Sequence, residues 1–367
     1  MHSTTAGRRP RHDANRLGLD YRAEARAFPY AGPIHDVHTH LTTLPAARAY
    51  FEAADAYGID KVWSMSPLEQ VDALRDAFGD RIQFIAVPNY AARDEPGTFT
   101  TDWLKRIEAF AARGVKVCKF WAAPRGRDFD ADALRLDSAH RFEQMRLARS
   151  LGMMFMTHVA DPDTWFATRY SEASQYGTKP EHYDALRRAL DAFGDVPWLA
   201  AHMAGHPEDL EHLQQLLDDY PQLYLDTSAT KWMVRELSKH PDAFADFVRR
   251  NPGRVLFGSD IVASDENLAP SEELGDAVGF ELYASRYWAL RTLMETRYDG
   301  PSPIVDPDLS MVDPSLPEQS TATLRGAGLD EPTLRMLYHD AASDLLEGWA
   351  QHGHPRHRQD FATHRRQ

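Results

Sequence analysis

Histidines and one late aspartate close four apolar runs in this chain: Asp36-Val37-His38-Thr39-His40, Thr157-His158, Ala201-His202-Met203 and Gly258-Ser259-Asp260. Imidazoles and carboxylates are the side chains that bind divalent metals and move protons near neutral pH. Alternate side chains of a strand share a face, so His38 and His40 point the same way. The same parity groups Met154 and Met156 with His158, Trp198 and Ala200 with His202, and Leu256 and Gly258 with Asp260. In each run the polar residue is the last on its face. Taken singly, each has a plainer reading: a lone histidine is commonly a hydrogen-bonded core residue, and Gly-Ser-Asp can be a turn with a helix cap. Four such residues at four strand ends read together as a metal site.

A donor set of imidazoles plus carboxylate suits one divalent metal, Zn²⁺ first, with Mn²⁺, Fe²⁺ and Co²⁺ as competitors. Such a site with an open position lowers the pKa of bound water toward about 7 and supplies hydroxide at neutral pH. Asp260 is then placed to touch the metal and shuttle a proton from water to the leaving group. His202 is placed to polarise a carbonyl or stabilise an oxyanion.

The elements that must position these residues follow from the apolar pattern. Strand-like runs cover Ile34–His40, Lys61–Met65, Ile82–Pro88, Val115–Trp121, Met153–Val159, Trp198–Ala204, Leu223–Thr227 and Val255–Ile261. Helical spacing fills Ala46–Tyr57, Thr101–Arg113, Ser138–Leu151, Tyr183–Phe193, Pro207–Tyr220 and Asp242–Arg250. Strands that alternate with helices and read as continuous apolar runs predict an α/β fold, a single (β/α)₈ TIM barrel spanning 29–350. A long segment follows the eighth strand. Within 262–325 it carries an aromatic stretch, Phe280–Trp288, and a Pro-rich piece, Pro301–Pro317, and is expected either as a lid or oligomer contact, or with Phe280–Tyr298 as the eighth helix. Residues 1–28 are expected as a mobile leader and 351–367 as a mobile tail.

Composition narrows the function classes. With 41 Lys+Arg against 55 Asp+Glu, the formal net charge is −14. That balance argues against nucleic acid and gives no attraction to an anionic membrane. Cys118 is the single cysteine, which rules out an intrachain disulfide and fits a cytoplasmic setting. No run has the apolar length of a membrane helix. A small-molecule substrate and a homodimer are the expected partners.

The chain resembles the amidohydrolase superfamily, specifically its amidohydrolase-related branch of hydrolases and nonoxidative decarboxylases. The resemblance spans roughly Pro33 to Leu346 and is carried by DVHTH, THVAD, AHMAGHPEDL, YLDTSATKW, RVLFGSD and LRMLYHDAASDLL. It implies that His38, His40, His158 and Asp260 bind the metal and that His202 acts on the substrate. Some members carry a carboxylated lysine on the fourth strand; Lys119 stands at that place, and a contact with a substrate carboxylate or a buried ion pair is the reading preferred over a bridge between two metals. Either Lys119, or Lys116 and Cys118, faces inward. Trp165 and Arg169 after the fifth strand are candidates to line the pocket, or belong to a loop that only caps a helix; Lys231, Trp232 and Arg235 after the seventh are candidates to bind an anionic substrate, or form a salt-bridged helix start. His206 is expected on the outgoing loop in a supporting role, and Asp36 is expected to pair with a basic group lower in the barrel.

The expected activity is hydrolysis of an ester, lactone or amide bond in a small organic substrate. The alternative is nonoxidative decarboxylation of an aromatic or unsaturated acid on the same metal, favoured if Arg48 or Lys119 points at it. A non-catalytic binding protein is a third reading, which the intact ligand set disfavours.

Overall fold

The computed structural model describes residues 13–270 and 279–353. The apolar runs become parallel strands β1 (Ile34–Leu41), β2 (Ile59–Ser64), β3 (Ile82–Ala86), β4 (Val117–Trp121), β5 (Met154–His158), β6 (Trp198–Ala200), β7 (Leu223–Asp226), β8 (Val255–Leu256) and β9 (Ile261–Ala263). They pair in the order β8-β7-β6-β5-β4-β3-β2-β1-β9. β8 and β9 are the two halves of one expected strand. β8 pairs with β7 and β9 with β1, so the sheet closes on itself as a (β/α)₈ barrel. Two further backbone bonds stitch the seam, Val37 N–H to Phe257 O at 3.0 Å and Asp260 N–H to His38 O at 2.8 Å.

The helices form where capping and apolar spacing agree. Thr43 caps Leu44–Ala56 by accepting from Ala46 N–H, Pro45 sits in the first turn, and Tyr50, Phe51 and four alanines face the barrel. Lys179–Ala192 begins with Glu181 returning to Thr178 N–H at 2.7 Å and buries Tyr183, Leu186 and Leu190. Each fully buried Leu or Phe contributes roughly 1.5–3 kcal/mol. These helices cover the outside of strands whose residues are themselves almost all buried.

The segment after β9 is structured. Helix Phe280–Glu295 packs as barrel wall with Tyr283, Tyr287, Leu290 and Leu293 fully buried. The Pro-rich piece opens as strand β10 (Asp299–Val305), antiparallel to β11 (Thr321–Arg325). Residues 271–278 of the expected lid lie outside the described residues. Of the expected leader, 1–28, the structure describes residues 13–28. Tyr21 is fully buried, its hydroxyl donates to Ala14 O at 2.5 Å, and Val305 N–H donates to Asp13 O at 2.8 Å. Residues 1–12, and the tail from 354 on, lie outside the described residues. Among the described residues no helix is long and apolar enough to cross a membrane.

Candidate metal centre

The C-terminal end of β1 carries both histidines of the His-x-His pair. Asp260 reaches them from the gap between β8 and β9, where its backbone takes a left-handed φ of 59°. One carboxylate oxygen, Oδ1, stands 3.3 Å from His38 Nε2 and 3.2 Å from His40 Nε2. Gly258 permits this approach, since a Cβ there would lie 3.0 Å from the Cβ of His38 and 3.2 Å from that of Ser228. Burial works to raise the Asp260 pKa, but the contacts with His38 and His40 outweigh it and hold the carboxyl well below the usual range. The three ligand atoms all lie within 4.8 Å of one another.

The far ring nitrogen of His38 is also fixed. His38 Nδ1 faces Asp226 Oδ2 and Ser228 Oγ, each at 2.9 Å. Burial and Lys119 act to lower the His38 pKa, and Asp226 and Asp260 reverse this and raise it. Asp226 Oδ1 accepts from His202 N–H at 2.9 Å, from Ser228 N–H at 3.0 Å and from the Ser228 hydroxyl. Burial pushes Asp226 up, yet His38, His202 and Ser228 hold it well below the usual carboxylate range. A charged Asp226 keeps the His38 proton on Nδ1 and turns the Nε2 lone pair toward Asp260. This carboxylate–histidine pairing prepares an imidazole for a metal.

Lys119 faces inward from β4, which decides its parity, and its Nζ lies 3.0 Å from His38 Nε2. Burial pushes the ammonium down to about 8, with Asp260 and Asp226 pulling the other way. Cys118 points the other way into the apolar packing. The donor set therefore fits a divalent cation. His38 Nε2, His40 Nε2 and Asp260 Oδ1 converge, the carboxylate is charged, and the ammonium that shares His38 Nε2 can shed its proton.

His158 ends β5 but stands outside that trio. Its Nε2 meets Asp161 Oδ1 at 2.7 Å, and Asp161 Oδ2 accepts from Tyr170 at 2.6 Å. Nδ1 is thus the nitrogen His158 has left to offer. Its ring centroid is 4.6 Å from that of His202. His202 heads a left-handed turn: His202, Met203, Ala204 and Gly205 have φ of 58°, 51°, 54° and 74°. The side chains at 202–204 place three non-glycine residues in a conformation that costs roughly 1–2 kcal/mol each. Gly205 is required there, because a Cβ would sit 1.9 Å from Ala160 O. His202 Nδ1 is 2.7 Å from Ser228 Oγ, whose proton goes to Asp226, so Nδ1 donates and the Nε2 lone pair faces the cavity. Burial lowers the His202 pKa well below its usual value.

These groups open on a cavity of about 510 Å³. Of the expected pocket residues, Lys119, Trp165, Lys231 and Trp232 line it. Arg169 does not; it lies over the ring of Trp165 at 4.5 Å with Nε against Met311 Sδ, on the exposed side. Arg235 is buried with Glu236, Asp306 and Asp308 and is spent on that network. One oxygen of Asp308 also accepts from the indoles of Trp165 (2.7 Å) and Trp232 (3.3 Å), joining the late segment to the cavity wall. Among the described residues Asp36 meets no basic side chain. It accepts from Ser259 Oγ (2.5 Å) and N–H (3.0 Å), Tyr287 OH (2.9 Å) and His38 N–H (3.1 Å), while burial pushes its carboxyl up to about 6. His206 stacks on Tyr183 outside the cavity, and Arg48 is exposed. Sequence reading missed Asp226, Ser228 and Asp161, all within three residues of strand ends.

No protein-family model matches the chain, and no curated protein matches it in sequence. Solved structures do resemble it in shape. An amidohydrolase from Burkholderia multivorans with bound zinc is 12% identical, with a TM-score of 0.47 over 85% of this chain and 98% of that one. A 5-carboxyvanillate decarboxylase from Novosphingobium aromaticivorans, complexed with manganese and a nitrobenzoic acid, is 12% identical, with a TM-score of 0.44 over 88% and 96%. A probable 2-pyrone-4,6-dicarboxylic acid hydrolase from Acinetobacter baumannii with citric acid bound is 14% identical, with a TM-score of 0.42 over 62% and 84%.

Proposed function

We propose that this chain is a metal-dependent hydrolase of the amidohydrolase superfamily, acting on an ester, lactone or amide bond of a small organic molecule. The observation that carries the reading is the sharing of one charged Asp260 oxygen by His38 and His40 at the mouth of a cavity. His38, His40 and Asp260 would hold the ion, with His158 Nδ1 as the fourth donor and zinc or manganese as its identity. Bound there, the metal supplies Lewis-acid polarisation and makes water nucleophilic at neutral pH. Asp260 stays ionised, so it can accept a proton from attacking water and return it to the leaving group. His202 presents Nε2 to the same space and acts as a proton carrier held in place by Ser228. Trp165 and Trp232 wall off water around the reacting bond.

A second reading is nonoxidative decarboxylation of an aromatic or unsaturated acid. One observation favours it: Lys119 stands beside His38, where it can hold a substrate carboxylate. His202, once protonated, would then deliver its proton to carbon. The two readings share the site and differ in product. Purified protein is expected to hold about one equivalent of divalent metal per chain, lost in the His38→Ala, His40→Ala double variant. Lactones, esters and amides are then screened beside aromatic acids while acid release and CO₂ are both followed. Acid release without CO₂ supports hydrolysis. CO₂ release moves the assignment to the decarboxylase, and metal-free activity sinks both.

A further inference from the structure

A second cluster of metal-type side chains lies outside the cavity, where the loops after β5 and β6 meet the start of helix Lys179–Ala192. Ligand atoms of Asp163, His206 and Glu208 lie within 4.8 Å of one another. His206 Nε2 stands 3.9 Å from Asp163 Oδ1, too far for a hydrogen bond and wide enough for an ion bonded to each at about 2 Å. His212 is beside them, its ring centroid 5.2 Å from that of His206. Tyr183 holds both rings. It stacks on His206 at 5.7 Å and meets His212 edge-on at 4.6 Å, and its hydroxyl donates to Ala204 O at 2.9 Å.

Three buried polar atoms of this cluster have no hydrogen-bond partner among the described residues: His206 Nδ1, Glu208 Oε2 and His212 Nε2. Polar atoms left unpaired in the interior are costly, and are seldom kept without an ion, a water or a chemical role. Lys179 does not answer for them. Its ammonium bridges Asp163 Oδ1 and Glu208 Oε1, each at 2.8 Å, and reaches neither Glu208 Oε2 nor the two unpaired imidazole nitrogens. Burial, and next His206, lower the His212 pKa, which leaves that imidazole neutral with a lone pair to give.

Two imidazoles with two carboxylates make the borderline donor set that suits Zn²⁺, whereas Ca²⁺ and Mg²⁺ take oxygen ligands. We propose that Asp163, His206, Glu208 and His212 form a second divalent-metal site, separate from the barrel-mouth centre, and that its ion is zinc. The Asp163 side chain is 66% exposed and gives the ion an entry from solvent. Glu208 Oε1 also accepts from Asp163 N–H at 2.6 Å, so the two loops are already drawn together. Zinc there fastens the loop after β5 to the loop after β6. Asp163 opens the short helix Asp163–Phe166, which carries Trp165 of the cavity wall. The role is structural. Lys179 competes for both carboxylates, which makes this the weaker of the two sites. Protein purified without added metal keeps the barrel-mouth ion and takes up the second on titration. This inference goes beyond the functional reading above and does not depend on it.

The test is equilibrium dialysis of the full chain, stripped by a chelator, against buffered Zn²⁺, with bound metal counted by plasma emission spectroscopy. Wild type is expected to take up about two equivalents, and the His38→Ala, His40→Ala double variant about one. His206→Phe keeps the stack on Tyr183, and Glu208→Gln keeps the side-chain shape. Each should hold the barrel-mouth equivalent and bind the second about tenfold more weakly or worse. Zinc should also raise the Tm of the double variant, and adding His206→Phe to it should remove that rise. Circular dichroism checks each fold, and if His206→Phe unfolds, Glu208→Gln decides. The inference is overturned by a wild type that takes up one equivalent only, or by a double variant that binds none. It is equally overturned if a folded His206→Phe or Glu208→Gln protein keeps the second equivalent within about threefold of wild-type affinity, the result expected of zinc on surface histidines. A missing second equivalent leaves the barrel-mouth reading standing; a second equivalent without the first would do the reverse.

Discussion

Replacing Asp226 by Asn should damage the metal site although Asp226 is not expected to touch the ion. Four donors converge on this buried carboxylate: His38 Nδ1–H on Oδ2, and His202 N–H, Ser228 N–H and the Ser228 hydroxyl on Oδ1. An asparagine of the same shape keeps one oxygen, and the three donors at Oδ1 claim it. Its NH₂ then faces His38 Nδ1, where two N–H groups cannot bond. His38 escapes by moving its proton to Nε2, and that nitrogen loses the lone pair now directed at Asp260 and Lys119. Loss of such a supporting carboxylate typically costs about 10–100-fold in metal affinity, or roughly 1.4–2.7 kcal/mol. The measurement is a competition titration of Zn²⁺ and Mn²⁺ against a fluorescent chelator, with circular dichroism to verify the fold. Ser228→Ala, which removes a hydroxyl shared by His38 and His202 but leaves the charge, should lose less. A folded Asp226→Asn protein that binds metal within about threefold of wild type would refute the tautomer argument.

Other expectations follow from the same geometry. Asp260→Asn should lower turnover by about 10²–10⁴-fold, because the amide neither accepts nor returns a proton; steady-state kinetics on whichever substrate the screen identifies checks this. Gly205→Ala should destabilise by about 4 kcal/mol or more in urea titrations, since its Cβ would overlap Ala160 O. Gly18→Ala, at a similar φ but with nothing within 4 Å, is the control and should cost about 1 kcal/mol. Buried His35, pushed down to about 4 mainly by desolvation and next by His339, should make stability pH-dependent. The unfolded chain binds a proton near 6.5 and the folded chain only near 4, so stability is lost as pH falls through that window, by at most about 3 kcal/mol. Urea midpoints of wild type and His35→Leu across pH 4–7 test it: equal slopes in the two proteins would remove His35 from the account.

The barrel was legible because both faces of its strands are covered, so each strand reads as an unbroken apolar run. His38 and His40 were legible because β1 is a true strand and parity holds along it. His202 and Asp260 were placed at the right ends by a rule that does not strictly reach them. Each lies past its strand in a left-handed turn, where a period of two has no meaning. Asp226 went unread although it ends β7 as His158 ends β5; the same last-residue rule, applied to YLDTS, would have found it. Nearness in sequence to a strand end says nothing about direction: Arg169 lies over Trp165 outside the cavity lining, and Arg235 takes the salt-bridged alternative with Glu236, Asp306 and Asp308.

The split eighth strand has a consequence for how the molecule assembles. β1 is among the first segments of the barrel to be synthesised, and its closing partner is the last strand; Ser259 meets Asp36 across 223 residues. Barrel closure and the meeting of Asp260 with its two histidines are therefore one event in one place. Contacts so distant in sequence are slow to form, because loop closure must precede any reward. During refolding, metal affinity should appear only with the final cooperative phase, after most helical signal has returned. A nascent chain that has not yet extended past Ala263 has its histidines and no site.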